Sequence, residues 1–222
     1  MDGNRRWARK RSLHTLLGHR EGIKPAKIAM RFCIENKIAY LSLYTLSIEN
    51  FFNRPTEEVG YLFDLVENEL AKELDEFVAN NIRIRFLGDW SLYPSNIAVI
   101  CKNIEQQTAH CVALNLNLLL CYGARQEMVN ATKSVQRAVA SGTLNIEDLT
   151  VDTFKNYLWT AGMPDPDMVV RTGGVHRTSN FLLYQSAYSE FYFIDALWPD
   201  LTEEHLKQAV AYFNQCKRNF GN

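Results

Sequence analysis

Two short stretches hold the residue types on which chemistry can be built. Arg171-Thr172-Gly173-Gly174-Val175-His176-Arg177-Thr178-Ser179-Asn180 puts two arginines, a histidine, a serine hydroxyl and a Gly-Gly turn within ten residues. That is a dense set of donors for a polyanion such as diphosphate. Met1-Asp2-Gly3-Asn4-Arg5-Arg6-Trp7 sets an acid, a glycine and an arginine pair side by side, where a divalent cation and a second phosphate could sit. Two phosphate cradles with a carboxylate between them predict a reaction that joins two phosphorylated substrates. Asp2 and Glu190 are the best hard-oxygen ligands for a Mg2+ that bridges a diphosphate, because Mg2+ takes one or two carboxylates plus phosphate oxygens.

Further polar groups fall where ligands gather in open α/β sheets, just beyond the carboxyl ends of strands. Ser47-Ile48-Glu49-Asn50 and Arg54 follow one predicted strand, Tyr122-Gly123-Ala124-Arg125 another, and Arg171 to Asn180 a third. Glu190 instead precedes a predicted strand. Each residue alone has an ordinary explanation: Arg171 as a surface ion pair, His176 as a turn residue, Asn50 as a loop cap. Their convergence on one rim is the more specific signal. No G-x-x-x-x-G-K-[ST], G-x-G-x-x-G, H-E-x-x-H or G-x-S-x-G motif competes, nor does any zinc-type Cys/His spacing. The D-D-x-x-D motif of the all-helical trans-prenyltransferases is absent too.

The elements that must position these groups alternate between short apolar runs and amphipathic stretches, as βαβ units do. Strands are predicted at Ile38–Leu46, Ile82–Leu87, Leu114–Tyr122, Met168–Arg171 and Phe191–Ile194. Helices are predicted at Pro25–Asn36, Thr56–Asn80, Ser95–Ala113, Arg125–Ala140, Val151–Trp159 and Thr202–Cys216, with Ser95 and Thr202 as N-caps. In the 56–80 stretch, Val59, Leu62, Phe63, Val66, Leu70, Leu74, Phe77 and Val78 recur at three- and four-residue spacing. The stripe suits a helix packed on a sheet and equally one wall of an apolar tunnel. The expected fold is α/β: one domain over residues 1–222 with a largely parallel sheet flanked by helices.

Bulk properties agree with that class. The 222 residues carry a net charge of −1 and are 47% hydrophobic, which suits one globular domain and no nucleic-acid partner. The five cysteines form no C-x-x-C pair and read as reduced thiols of a cytoplasmic protein. The longest apolar runs, such as Leu116–Cys121, are too short to span a bilayer.

The chain closely resembles the cis-prenyltransferase family. The matching blocks are residues 1–8, Gly18-His19, residues 47–50 with Asn53-Arg54-Pro55, Gly88-Asp89, residues 122–125, residues 171–183, residues 188–193 and Leu197-Trp198-Pro199-Asp200. They occur in the family's order over nearly the whole chain. The resemblance implies a hydrophobic tunnel between sheet and helices, and successive cis additions of isopentenyl diphosphate to an allylic diphosphate such as farnesyl diphosphate. The product would be a polyprenyl diphosphate such as undecaprenyl diphosphate, a lipid carrier for cell-wall synthesis. It further implies Mg2+, a homodimer, and peripheral membrane contact through the oily product.

Carried over position by position, the resemblance lays the allylic diphosphate over Gly3, Asn4, Arg5 and Arg6, with Arg54 adding charge and His19 close to the same phosphates. Isopentenyl diphosphate goes to Arg171, Arg177 and Ser179, and Trp7, Thr15, Ile48, Glu49, Phe51 and Thr178 are further substrate-binding positions. Asp2 is the metal-positioning catalytic residue, His176 and Glu190 complete the metal and phosphate surroundings, and Asn50 assists proton loss with Ser47 nearby. Thr45 and Leu114 are expected in or near the tunnel.

Several positions depart from the family's pattern. A strand normally leads into the Asp-Gly-Asn segment, whereas here Met1 comes directly before Asp2: either the start shown is truncated or the sheet lacks a strand, and the second case would leave Asp2 poorly anchored. Thr15 stands where many relatives carry a basic residue. The 50–54 interval holds one extra residue, and Asn219 takes the place of an arginine in an Arg-x-Gly tail, with Arg218 beside it. These departures keep two alternatives open: an accessory subunit that serves a paired active chain, and an enzyme of the same type with a short product.

Overall fold

The structure is a computed structural model and describes residues 1–217; the Arg218–Asn219 departure lies outside the described residues. Ten α-helices and five strands occur among these residues. Three helices come first: α1 (Asn4–Lys10), α2 (Thr15–Glu21) and α3 (Ile23–Glu35). Then follow β1 (Tyr40–Ser47), α4 (Ile48–Asn53), α5 (Thr56–Leu65), α6 (Leu74–Ala79), β2 (Ile82–Leu87), α7 (Ser95–Gln107), β3 (Leu114–Tyr122) and α8 (Ala124–Ala140). The last are α9 (Val151–Phe154), β4 (Met168–Arg171), β5 (Glu190–Phe193) and α10 (Glu203–Phe213).

All strand pairings are parallel, but the strands divide into a three-stranded sheet, ordered β1-β3-β2, and a two-stranded pair, β4-β5. β3 is central and buried along nearly its whole length, as a parallel strand covered on both faces must be. Leu43, Leu46, Ile84, Phe86, Leu116, Leu118 and Leu120 supply the core against α5, α6 and α7.

Two kinks re-aim the carboxyl end of β1. Tyr44 pairs with Leu119 and Leu46 with Leu120, so Thr45 is an extra residue, and its Oγ1 donates to the Leu119 carbonyl at 2.6 Å. The pairing next skips Cys121, which has φ of 50°. Such bulges bend a strand and often flank functional sites.

The single helix expected over 56–80 is broken. α5 ends at Leu65, Val66–Leu70 form a π-turn, and α6 begins at Leu74. Leu62, Val66, Leu70 and Leu74 are spaced four apart, and an α-helix of 3.6 residues per turn would rotate each about 40° from the last. A wider i→i+5 turn absorbs that drift, and all four side chains stay on the core. α7 also stops early, at Gln107: the Thr108 Oγ1 donates to the Ile104 carbonyl and accepts from the Ile84 N–H, tying the helix end to β2. Ser95 is not an N-cap, because Pro94 holds that position in an extended conformation and Ser95 is the first helical residue. Thr202 does cap α10, in a box with His205.

Candidate active site

The expected segments meet at one end of the molecule, around a cavity of about 1350 Å3. It runs between β1 and the β4-β5 pair. Asp2, Asn4, His19, Ser47, Glu49, Asn50, Arg54, Arg171, Arg177, Thr178 and Ser179 all line it.

Asp2 is held firmly despite its place in the chain. Its N–H donates to the Thr172 hydroxyl at 3.0 Å, and its carbonyl accepts from that hydroxyl at 2.8 Å and from the Trp198 N–H at 2.9 Å. This corrects the expectation of a weakly anchored acid. Its carboxylate meets Arg171 at 3.0 Å and Arg6 at 3.2 Å. Burial alone would raise its pKa, but the Arg171 hydrogen bond and the Arg6 charge outweigh burial and hold the carboxyl below its ordinary value.

The segment after β4 is built on unusual backbone. Gly173 and Gly174 have φ of 90° and 64°, and their N–H groups are fixed by the Ala196 and Ile194 carbonyls. A Cβ on Gly173 would run into the Arg6 guanidinium, so only glycine lets Arg6 reach Asp2 there. Ser179 and Asn180 also sit in the left-handed region, with φ of 52° and 63°. Arg171 ties the loop together: its Nη1 donates to the Ser179 Oγ at 2.8 Å and to the Arg177 carbonyl.

A second basic cluster lies across the cavity. His19 on α2, Arg54 at the end of α4 and Arg5 on α1 surround the buried carboxylate of Glu58 on α5, at 2.9, 3.2 and 3.7 Å. Burial lowers the pKa of His19 more than Glu58 raises it, so at neutral pH a neutral ring shares its Nε2 with Glu58. Glu58 went unnoticed in the sequence because it looks like one of several acids in a helical first turn. The only local clue is that Arg54 lies four residues before it.

The remaining groups split into those near the cavity and those apart from it. Ser47 caps α4, its Oγ accepting from the Asn50 N–H at 3.1 Å. Glu49 accepts from Asn180 Nδ2 at 2.7 Å. Ile48 is buried, and Phe51 packs edge-on against Phe52 and Phe63. Gly3, with φ of 119°, starts α1 against Leu197.

Trp7 donates to Asp200 at 2.7 Å, with Arg11 stacked 4.2 Å over its ring; it is not among the cavity-lining residues. Thr15 opens α2 and also lines neither cavity. His176 stacks on Phe193 at 4.5 Å. Glu190 begins β5 opposite Met168, at the far end of the strand pair from Arg171 and Asp2, so within one chain the two expected metal ligands are not brought together.

Do these residues fit a diphosphate and its metal? Buried polar atoms without a hydrogen-bond partner among the described residues include Arg5 Nε, Arg54 Nε, Arg171 Nε and Asn4 Oδ1. Arg54 and Arg171 line one cavity, and their two orphaned guanidinium donors there fit a polyanion. No three His, Cys, Asp or Glu side chains converge on a metal position among the described residues. A cation here would therefore rest on Asp2 and phosphate oxygens, as Mg2+ does, rather than in a protein cage.

A smaller apolar cavity of about 150 Å3 leads away from Met1, Asn4 and His19. Ala26 and Met30 of α3, Leu62 and Leu65 of α5, Val66 and Leu70 of the π-turn, and Leu116, Leu118 and Leu120 of β3 line it. Thr45 lines both cavities, whereas Leu114 lines neither and is fully buried core.

Residues 1–221 match the sequence profile of the family described as "Putative undecaprenyl diphosphate synthase". The chain is 43% identical to an isoprenyl transferase of Halalkalibacterium halodurans, over all of this chain and 86% of that protein. It is equally similar to an isoprenyl transferase of Bacillus subtilis, over all of this chain and 85% of that protein. Its fold superposes on lavandulyl diphosphate synthase from Lavandula x intermedia, solved with dimethylallyl diphosphate, with a TM-score of 0.95 at 31% identity, covering 100% and 95% of the two chains. A probable undecaprenyl diphosphate synthase from Campylobacter jejuni gives a TM-score of 0.80 at 34% identity, covering 91% and 92%.

Proposed function

Since the chain belongs to the undecaprenyl diphosphate synthase family of prenyltransferases, we propose that it condenses isopentenyl diphosphate with an allylic diphosphate, farnesyl diphosphate in the first instance. Repeated cis additions give a polyprenyl diphosphate such as undecaprenyl diphosphate, for use as a cell-wall lipid carrier. The observation that carries this reading is the unsatisfied guanidinium nitrogen of Arg54 and of Arg171, two residues that line the cavity together with Asp2.

In this reading the allylic diphosphate lies by Arg6, Arg54 and His19, near Gly3–Arg5, with its tail directed into the apolar tunnel. Isopentenyl diphosphate lies by Arg171, Arg177 and Ser179. Asp2 is the residue that would hold Mg2+ together with the substrate's phosphate oxygens. Bound Mg2+ supplies Lewis-acid stabilisation of the departing diphosphate. Arginines aimed at the leaving oxygens stabilise the same charge as the allylic C–O bond breaks. The double bond of isopentenyl diphosphate then forms the new C–C bond, and the proton released leaves on the side of Asn50 and Ser47. The tunnel keeps water from the allylic cation.

The test is incubation of the purified chain with farnesyl diphosphate, radiolabelled isopentenyl diphosphate and Mg2+, with and without EDTA. A product ladder that EDTA abolishes is expected, and Asp2→Ala and Arg177→Ala should each remove it while circular dichroism stays unchanged. Full turnover in both variants would sink the assignment.

One observation favours a short product as the second reading. A cavity of about 150 Å3 holds roughly one benzene-sized group, close to a single prenyl unit, so a longer chain must part the tunnel wall. The length of the ladder separates the two.

A further inference from the structure

Glu58 is the one buried acid at this site that the reaction as described does not use. It is 4% exposed, and its two oxygens serve three bases from three different elements. Oε1 meets His19 Nε2 at 2.9 Å and Arg54 Nη1 at 3.2 Å, and Oε2 lies 3.7 Å from Arg5 Nε. His19 and Arg54 also line the large cavity. Arg5 Nε and Arg54 Nε have no hydrogen-bond partner of their own.

We propose that Glu58 is a positioning residue: its carboxylate holds Arg54, His19 and Arg5 as one preorganised array for the allylic diphosphate. The proposal rests on the assignment of that substrate to this side of the cavity.

The alternative role for an anion at such a place is competition, with Glu58 taking donors the phosphate would otherwise use. Two effects oppose each other when it is neutralised. The cluster gains a unit of positive charge, which attracts diphosphate. Two long arginines and an imidazole ring lose the contact that fixes their rotamers, and each must then be ordered anew at binding. Arg54 and Arg5 also repel one another once the carboxylate between them is neutral. The ordering effect wins, because each arginine directs a rigid fork that binds phosphate well only when correctly aimed.

The test is the kinetics of Glu58→Gln and Glu58→Asp in the full chain, with farnesyl diphosphate, isopentenyl diphosphate and Mg2+. Glu58→Gln should raise KM for the allylic diphosphate about tenfold or more, as expected for loss of charge-assisted hydrogen bonds. KM for isopentenyl diphosphate, which is held on the Arg171 side, should change less than about twofold on the same scale. Glu58→Asp keeps the charge on a shorter stem and should fall between wild type and Glu58→Gln. Should Glu58→Gln fail to fold, Glu58→Asp decides through the same contrast between substrates. Tighter allylic binding, or an equal rise in both KM values, would overturn the proposal.

Calorimetric titration with inorganic pyrophosphate separates this proposal from the functional reading beneath it. A wild-type chain that binds pyrophosphate but turns over neither substrate defeats the function, and weaker pyrophosphate binding by Glu58→Gln would still support the array. An active wild type with an unaltered Glu58→Gln defeats the array alone.

Discussion

Asp2 illustrates how much a single carboxylate depends on neighbours that are remote in the chain. Arg171 lies 169 residues away yet meets it at 3.0 Å, and Thr172 and Trp198 fix its backbone. The two guanidinium groups hold its pKa below the usual value of 3.8. The sign follows directly: the carboxylate binds fewer protons when folded than when unfolded, so its contribution is complete above that value and is lost as pH falls through the folded pKa. Asp2→Asn should therefore lower stability at pH 7 by about 1 kcal/mol, a figure reduced for solvent screening. The difference from wild type should shrink towards zero below about pH 4, as urea titrations at several pH values can measure. A gap that stays constant with pH would disprove these ion pairs. The acid and the arginines are legible in the sequence as residue types, but nothing local predicts that Asp2 pairs with both.

The tunnel wall shows the same division among elements. The apolar stripe from Val59 to Val78 is plain in the sequence, and Val59, Leu62, Phe63, Val66, Leu70, Leu74 and Phe77 do pack on the core. The break in the helix follows from a run of four-residue spacings, a finer signal than the stripe itself. The π-turn at Val66–Leu70 borders the smaller cavity, so the wall is interrupted where a growing chain would press on it. Ala26 faces the same space from α3. Ala26→Leu should fill much of that volume and shift the product ladder shorter by one or more prenyl units, read by chromatography of the labelled products. An unchanged ladder would show that the growing chain takes another path.

At the scale of the whole molecule, one side chain joins the three strand-end loops. Asn180 donates to Glu49 at 2.7 Å and to Gln126 at 3.0 Å, while its Oδ1 and carbonyl accept from the Arg125 and Ala124 N–H groups at 2.9 Å each. It adopts φ of 63°, a conformation asparagine tolerates far better than alanine. Asn180→Ala should lower stability by about 1–3 kcal/mol, a shift of several degrees in Tm, and raise KM for isopentenyl diphosphate as the 171–180 loop loosens. Calorimetry with parallel kinetics checks both, and an unchanged Tm would mean that the loops are held by other contacts. The division of the strands into a three-stranded sheet and a separate pair belongs to this scale as well: each strand is readable as a short apolar run, yet which strands pair depends on contacts between distant segments.

What the sequence determined alone is the chemistry that stays local. Ten consecutive residues carry the Arg171–Asn180 donors, seven carry the Asp2 segment, and strand and helix periods show in runs of similar length. These features need only near neighbours, so they are written in order along the chain. The tertiary structure decided what depends on distance across it: the Glu58 hub, the Asn180 tie, the anchoring of Asp2, and the turn of Trp7 towards Asp200. It also set Glu190 at the opposite end of its strand pair from Asp2. The reason is physical. A carboxylate or amide is drawn to whichever partners packing brings within about 3 Å, and the apolar burial that drives packing is non-directional, so the identity of those partners is settled only when the whole chain has closed around its core.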